Sequence, residues 1–157
     1  MSMRSLLAEI SRIHHPNAPA TPIQLAAFEA HVGWELDGDL RAFYLHCDGG
    51  TLFETRANAH YRFLPLAEIR RARLAIRASD EDEDGAPSVY TLVDMQDSDF
   101  IVLDVAQRIA GRYPLFDAWH ETFPVVERIA SSFEEFLEKA LRSGNRSFWL
   151  SSDPQER

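Results

Sequence analysis

Six histidines, one cysteine and a run of carboxylates are the groups in this chain whose types could do chemistry. The histidines are His14, His15, His31, His46, His60 and His120. His14 and His15 cannot both face one ion from a regular helix, because adjacent residues diverge by about 100°. No HExxH occurs. A lone cysteine, Cys47, excludes a CxxC zinc site and any intramolecular disulfide. The histidines therefore read as ordinary core or surface residues, with no metal and no cofactor. Asp94, Asp97, Asp99 and Asp104 cluster along the chain. Paired carboxylates hydrolyse bonds when one is desolvated enough to keep its proton. Asp97 and Asp99 fall at an expected turn, where water keeps both ionised. Cys47 follows His46 but lies on the apolar face of its helix, as a small core residue. No GxSxG motif is present, and no GK[ST] follows Gly49-Gly50 to make a phosphate loop. No catalytic residue is assigned.

The charge is more telling. The 157 residues carry 25 acids and 16 bases, for a formal net charge of −9. Nine acids lie between Ala78 and Gln107: Asp80, Glu81, Asp82, Glu83, Asp84, Asp94, Asp97, Asp99 and Asp104. No Lys or Arg falls in that window, so the other residues balance at 16 acids and 16 bases. Arg70, Arg71, Arg73 and Arg77 stand just before it. An acidic segment disfavours nucleic acid, whose phosphates demand cations, and it speeds the encounter with a basic protein. The plainer alternative is a solvated loop that aids solubility. No apolar run approaches the ~18 residues that span a bilayer. No secretory signal heads the chain and no disulfide framework exists, which together point to a reducing cytoplasmic setting.

The elements that must position these groups follow from periodicity. Leu6, Leu7, Ile10 and Ile13 make one helical face, and His14-His15-Pro16 ends it. Thr21-Pro22-Ile23-Gln24 is a capping box with proline at the first helical position, and Gly33 supplies the stop. A third helix follows Asp37-Gly38-Asp39 with Leu40, Phe43, Tyr44 and Cys47 on one face. Strands are expected at 51–55 and 60–64 around Asn58, and a short helix from Leu66 to Ile76. A loop is expected at 79–88, and strands at 89–95, 100–105, 112–116 and 125–129. Ser132-Phe133-Glu134-Glu135 reads as a second capping box, opening a helix that Ser143-Gly144-Asn145 closes. Beyond it, Phe148, Trp149 and Leu150 can dock on the body while the rest frays. Trp34 reads as a core residue, and Trp119 as a loop residue able to anchor a partner. Helices, then strands, then a closing helix make an α+β arrangement.

The stretch Gly33 to Gly50 (GWELDGDLRAFYLHCDGG) resembles the signature of the SUKH superfamily, Smi/Knr type, at Gly33, Trp34, Leu36, Leu40, Phe43, Tyr44, Gly49 and Gly50. Asp37 stands where that family has Pro, and Asp48 where it has Asn. Three further pieces come in order. Tyr61 to Ile69 is similar to the family's strand-into-helix piece, and Ser98 to Asp104 to its strand ending in Leu-Asp. Ile129 to Leu137, with Ser132, Phe133 and Phe136, is similar to its closing helix. The resemblance implies one α+β domain over residues 1–142, with a mixed sheet of about five or six strands flanked by helices. Residues 143–157 are expected to form a partly disordered tail. The resemblance also implies a non-enzymatic role. Many bacterial members look like immunity proteins that neutralise polymorphic or contact-dependent toxins, often nucleases. Fungal members are linked to cell-wall regulation. The matching residues, Asp104 among them, are structural by this reading.

The expectation is therefore a cytoplasmic immunity-type module with a basic toxin domain as its protein partner, bound without nucleic acid or membrane. The oligomeric state is left open. Asp80, Glu81, Asp82, Glu83, Asp84, Asp94, Asp97, Asp99 and Trp119 are the expected partner-binding residues. The alternatives are a regulatory scaffold of the cell-wall type and, behind it, a small metal- or carboxylate-dependent hydrolase.

Overall fold

The computed structural model describes residues 2–56 and 58–150. The chain runs α1 (Met3–Ile13), β1 (His15–Pro16), α2 (Pro22–Val32), α3 (Gly38–His46), β2 (Gly50–Thr51) and β3 (Arg62–Phe63). It continues through a 3-10 turn (Leu66–Glu68), α4 (Ala72–Arg77) and a second 3-10 turn (Asp82–Asp84). The last elements are β4 (Val89–Asp94), β5 (Phe100–Asp104), β6 (Leu115–Ala118), β7 (Glu127–Ala130) and α5 (Phe133–Arg142). No helix among the described residues is long and apolar enough to cross a membrane.

The α+β architecture is the expected one. The sheet differs in detail: it has seven strands in chain order, and every neighbouring pair is antiparallel. A mixed sheet would need a crossover to bring parallel strands side by side, and here consecutive strands simply fold back on one another.

Strand alternation splits the core between the two faces. Ile101 and Leu103 join the main core under α1, α2, α3 and α5, while Val102 joins a smaller cluster with Ala72 of α4, Phe116, Ala118 and Phe123. The main core centres on Phe43, Phe63, Phe133 and Phe136, whose neighbouring ring centroids lie 5.0–6.0 Å apart. Such pairs contribute about 0.5–1.5 kcal/mol each beyond their buried area.

The caps form where the sequence places them. Thr21 Oγ1 accepts from the Gln24 N–H, and Gln24 Oε1 accepts from the Thr21 N–H. Gly33 closes α2 at φ +80°. Asp37 caps α3 through the Leu40 N–H, and its other oxygen accepts from the Tyr113 N–H, tying the helix start to the segment before β6. Ser132 Oγ accepts from the Glu135 N–H. The reciprocal half of that box does not form among the described residues, because Glu135 turns toward Lys139 instead. Gly49 has φ +79°, and a Cβ there would lie 2.4 Å from the Phe63 carbonyl oxygen. A Cβ on Gly50 would lie 2.7 Å from the His15 carbonyl oxygen. The two glycines are thus required by backbone threading between strands, and not only by the end of a helix.

Several boundaries move for tertiary reasons. The strands expected at 51–55 and 60–64 shrink to two residues each, since Phe53 takes φ 58° and donates its N–H to His14 Nδ1. β1 arises where a helix end was expected, because Pro16 can sit at a sheet edge without a donor. The helix expected from Leu66 to Ile76 is split by extended Arg71, which bridges to Tyr90. The strand expected at 112–116 starts at Leu115, because Arg112 closes a turn with Ile109.

Residues 143–150 pack on the body. Phe148 and Trp149 stack against Phe136, and the Tyr61 hydroxyl donates to the Arg146 carbonyl. The rest of the expected frayed tail, 151–157, lies outside the described residues.

Candidate functional site: an acidic, tryptophan-walled cleft

Three segments that sequence order keeps far apart enclose a cleft of about 780 Å3. The first wall is the β4–β5 turn, with Met95, Asp97 and Asp99. The turn is shaped by its own carboxylates: Asp94 accepts from the Gln96 N–H, and Asp97 from the Asp99 N–H. The second wall is the segment leaving β6, with Trp119, His120 and Glu121. Asp99 joins these two walls. Its Oδ1 accepts the His120 backbone N–H at 2.9 Å and lies 2.7 Å from His120 Nδ1. The third wall is the strap after α5, which includes Asn145, Arg146 and Trp149. Asn145 fixes it by accepting from the His60 N–H and donating to the Asn58 carbonyl.

The electrostatics follow from this enclosure. Partial withdrawal from water, then the neighbouring Asp99 charge, raises the Asp97 carboxyl above its ordinary range. Neither Asp97 nor Glu121 has an ion pair among the described residues. Among the described residues, Arg146 is the Arg or Lys side chain that lines the cleft.

The acidic loop supplies none of the described residues that line this cleft. Arg73 is buried and gathers it. Its Nε donates to Asp80 at 2.8 Å, and its Nη1 donates to Asp82 at 2.8 Å and to the Gly85 carbonyl at 2.9 Å. Arg71 adds a second contact to Asp80. These hydrogen bonds, Arg73's first, lower the Asp80 carboxyl below its ordinary range. Glu81, Glu83 and Asp84 carry no ion pair among the described residues. From the same helix, Arg77 donates to the His120 and Phe123 carbonyls, at 2.6 and 2.8 Å. α4 therefore braces the loop with one arginine and the second wall of the cleft with another.

Of the residues expected to bind a partner, the structure brings Asp97, Asp99 and Trp119 together. Asp94 points elsewhere, into a smaller cleft of about 330 Å3 beside Arg62 and Arg70. The Arg62 guanidinium lies 3.9 Å from it. Sequence reasoning missed His60, His120, Glu121 and the strap as cleft walls. A run of Phe, Trp and Leu in a polar tail was the available signal for the strap. Nothing local marks the histidines.

Cys47 is buried, and burial, with the Asp48 charge behind it, pushes its thiol pKa up to about 12. His46 Nε2 sits 2.6 Å from Ser11 Oγ. No group of three or more His, Cys, Asp or Glu among the described residues is placed to hold a metal ion.

The family model of the SMI1/KNR4 family (SUKH-1) matches residues 19–139. The chain belongs to this family. No curated protein matches it. The SUKH signature positions fall in the core and its turns. Leu36, Leu40, Phe43, Phe133 and Phe136 are buried, and Trp34 packs on Phe28, Tyr90 and Tyr113. Asp104 accepts from the Ala106 N–H to turn the chain after β5. Two walls of the cleft lie inside the matched span, and the strap lies beyond it.

Proposed function

We propose that this SUKH-family chain is a non-enzymatic binding module of the immunity type. It binds a cognate toxin with a basic surface, such as a nuclease groove, and neutralises it by covering that surface. The observation that carries this reading is a concave acidic site walled by a half-buried tryptophan, Trp119. Tryptophans in concave patches dominate protein-binding energy, and carboxylates select a basic partner. The acidic loop has a separate role. Glu81, Glu83 and Asp84, with the paired Asp80 and Asp82, set a long-range field that speeds encounter. Asp97, Asp99 and Trp119 make the lasting contact. A groove built to hold phosphates is cationic, so this face could occupy it as a phosphate mimic. The non-enzymatic part of this reading is supported by Cys47, which is buried with its thiol pKa pushed up to about 12.

The test is affinity capture from the native host's lysate at low and then high salt. The captured protein is then expressed in susceptible cells with and without this chain. One basic protein, released by salt and toxic unless the chain is present, is the expected result. Several large partners without toxicity would overturn the immunity reading in favour of a regulatory scaffold.

A further inference from the structure

We propose that the cleft is an arginine-accepting subsite, which takes a guanidinium side chain and a few flanking residues from a protein partner. This rests on reading the chain as a protein-binding module, and it adds the chemistry of what enters. The cleft's size falls within the ~300–1,000 Å3 typical of ligand sites. At about 780 Å3 it exceeds one side chain, so a short segment fits with its arginine. Among the described residues, the cleft is lined by three carboxylates, Asp97, Asp99 and Glu121, and by one arginine, Arg146. His120 holds Asp99 in place, which leaves Asp97 and Glu121 as the carboxylates without an ion pair among the described residues. A guanidinium suits this surround better than an ammonium. It is planar, weakly hydrated and stacks on indole faces such as that of Trp119, while its fork of N–H donors pairs with a carboxylate through two bonds. A cation also relieves the like-charge pressure that Asp99 puts on Asp97.

The strap makes the site selective for shape. Its Trp149 and Phe148 are locked edge-to-face, with centroids 5.0 Å apart, and are held on Phe136. The third wall therefore keeps its form before anything binds, and binding loses little to ordering it.

The probe is the blocked tripeptide acetyl-Gly-Arg-Gly-amide, titrated into the isotope-labelled full chain. The indole N–H signals of Trp119 and Trp149 and the ring signals of His120 are followed by NMR. The arginine peptide is expected to shift all three saturably. The lysine peptide should bind at least threefold more weakly, and the neutral citrulline peptide should give no saturable shift. Asp97→Asn should weaken arginine binding about fivefold, and Arg146→Ala should strengthen it about twofold. Folding of each variant is checked from the same spectra. Equal shifts from arginine and citrulline, or no saturable shift with folded protein, would overturn the proposal. The titration needs no toxin, so its failure leaves the captured partner's identity untouched. A failed capture likewise leaves the titration standing.

Discussion

The loop at 79–85 and the cleft beside the β4–β5 turn are both acidic, and they handle their charge in opposite ways. The loop is answered from within: buried Arg73 holds Asp80, Asp82 and the Gly85 carbonyl, and Arg71 supports it. The cleft answers one carboxylate, Asp99, with a histidine, and leaves Asp97 raised and without an ion pair among the described residues. Carboxylates that stabilise a fold are depressed by their partners. A carboxylate left with burial and a like charge is raised, as Asp97 is, and an incoming cation would lower it again. On this view the denser acidic run serves the fold and long-range attraction, and the sparser one makes contact.

The largest effect should come from Trp119→Ala. It removes the aromatic wall of the cleft and leaves the core intact. Dissociation of the captured partner should quicken by about 30-fold, roughly 2 kcal/mol, as read by surface-immobilised kinetics. Replacing Asp80 to Asp84 with Ser and Asn should act on the other rate. Association should slow about threefold to tenfold and lose much of its salt dependence, while dissociation holds. A loop variant that chiefly speeds dissociation would reverse the comparison.

Smaller effects sharpen it through stability. Asp97 has a folded pKa above its unfolded value, so its ionisation opposes folding. That cost is absent below the ordinary aspartate range near 3.9 and grows as pH rises through the raised value. Asp97→Asn should therefore raise the melting temperature at neutral pH, by roughly 1–3 °C, while weakening partner binding. The gain should vanish near pH 3. Asp80 has the opposite sign. Its folded pKa is depressed, so its stabilisation is full above the unfolded value and is lost as pH falls through the depressed one. Asp80→Asn should lower the melting temperature at neutral pH and do nothing in strong acid. Carbon-detected NMR titration of the two carboxyls should show Asp80 titrating below Asp97.

The parts legible in the sequence are those set by near neighbours. The Thr21–Gln24 box, the Gly33 stop and the Asp37 cap are decided within a few residues, and all three form. β4 and β5 were legible because apolar runs bounded by turn residues need a sheet. β1 was not, and the strands expected at 51–55 and 60–64 keep only two residues each as β2 and β3, where Gly49 and Gly50 let three backbone segments meet. For the site, the charge window and Trp119 could be read directly. The arginines at 70–77 were visible as well, but which acids they answer depends on the turn after α4. The cleft itself was hidden, because its walls come from residues near 97, 120 and 146 and meet only through long-range bonds such as Asp99 to His120 and Asn145 to His60.

The most direct test of the account is amide hydrogen exchange on the complex with the captured partner. New protection across 95–100, 119–121 and 143–150, with 79–86 exchanging as in the free chain, is the predicted result. Protection confined to 79–86, or to the outer faces of α1 and α2, would contradict the assignment of contact to the cleft.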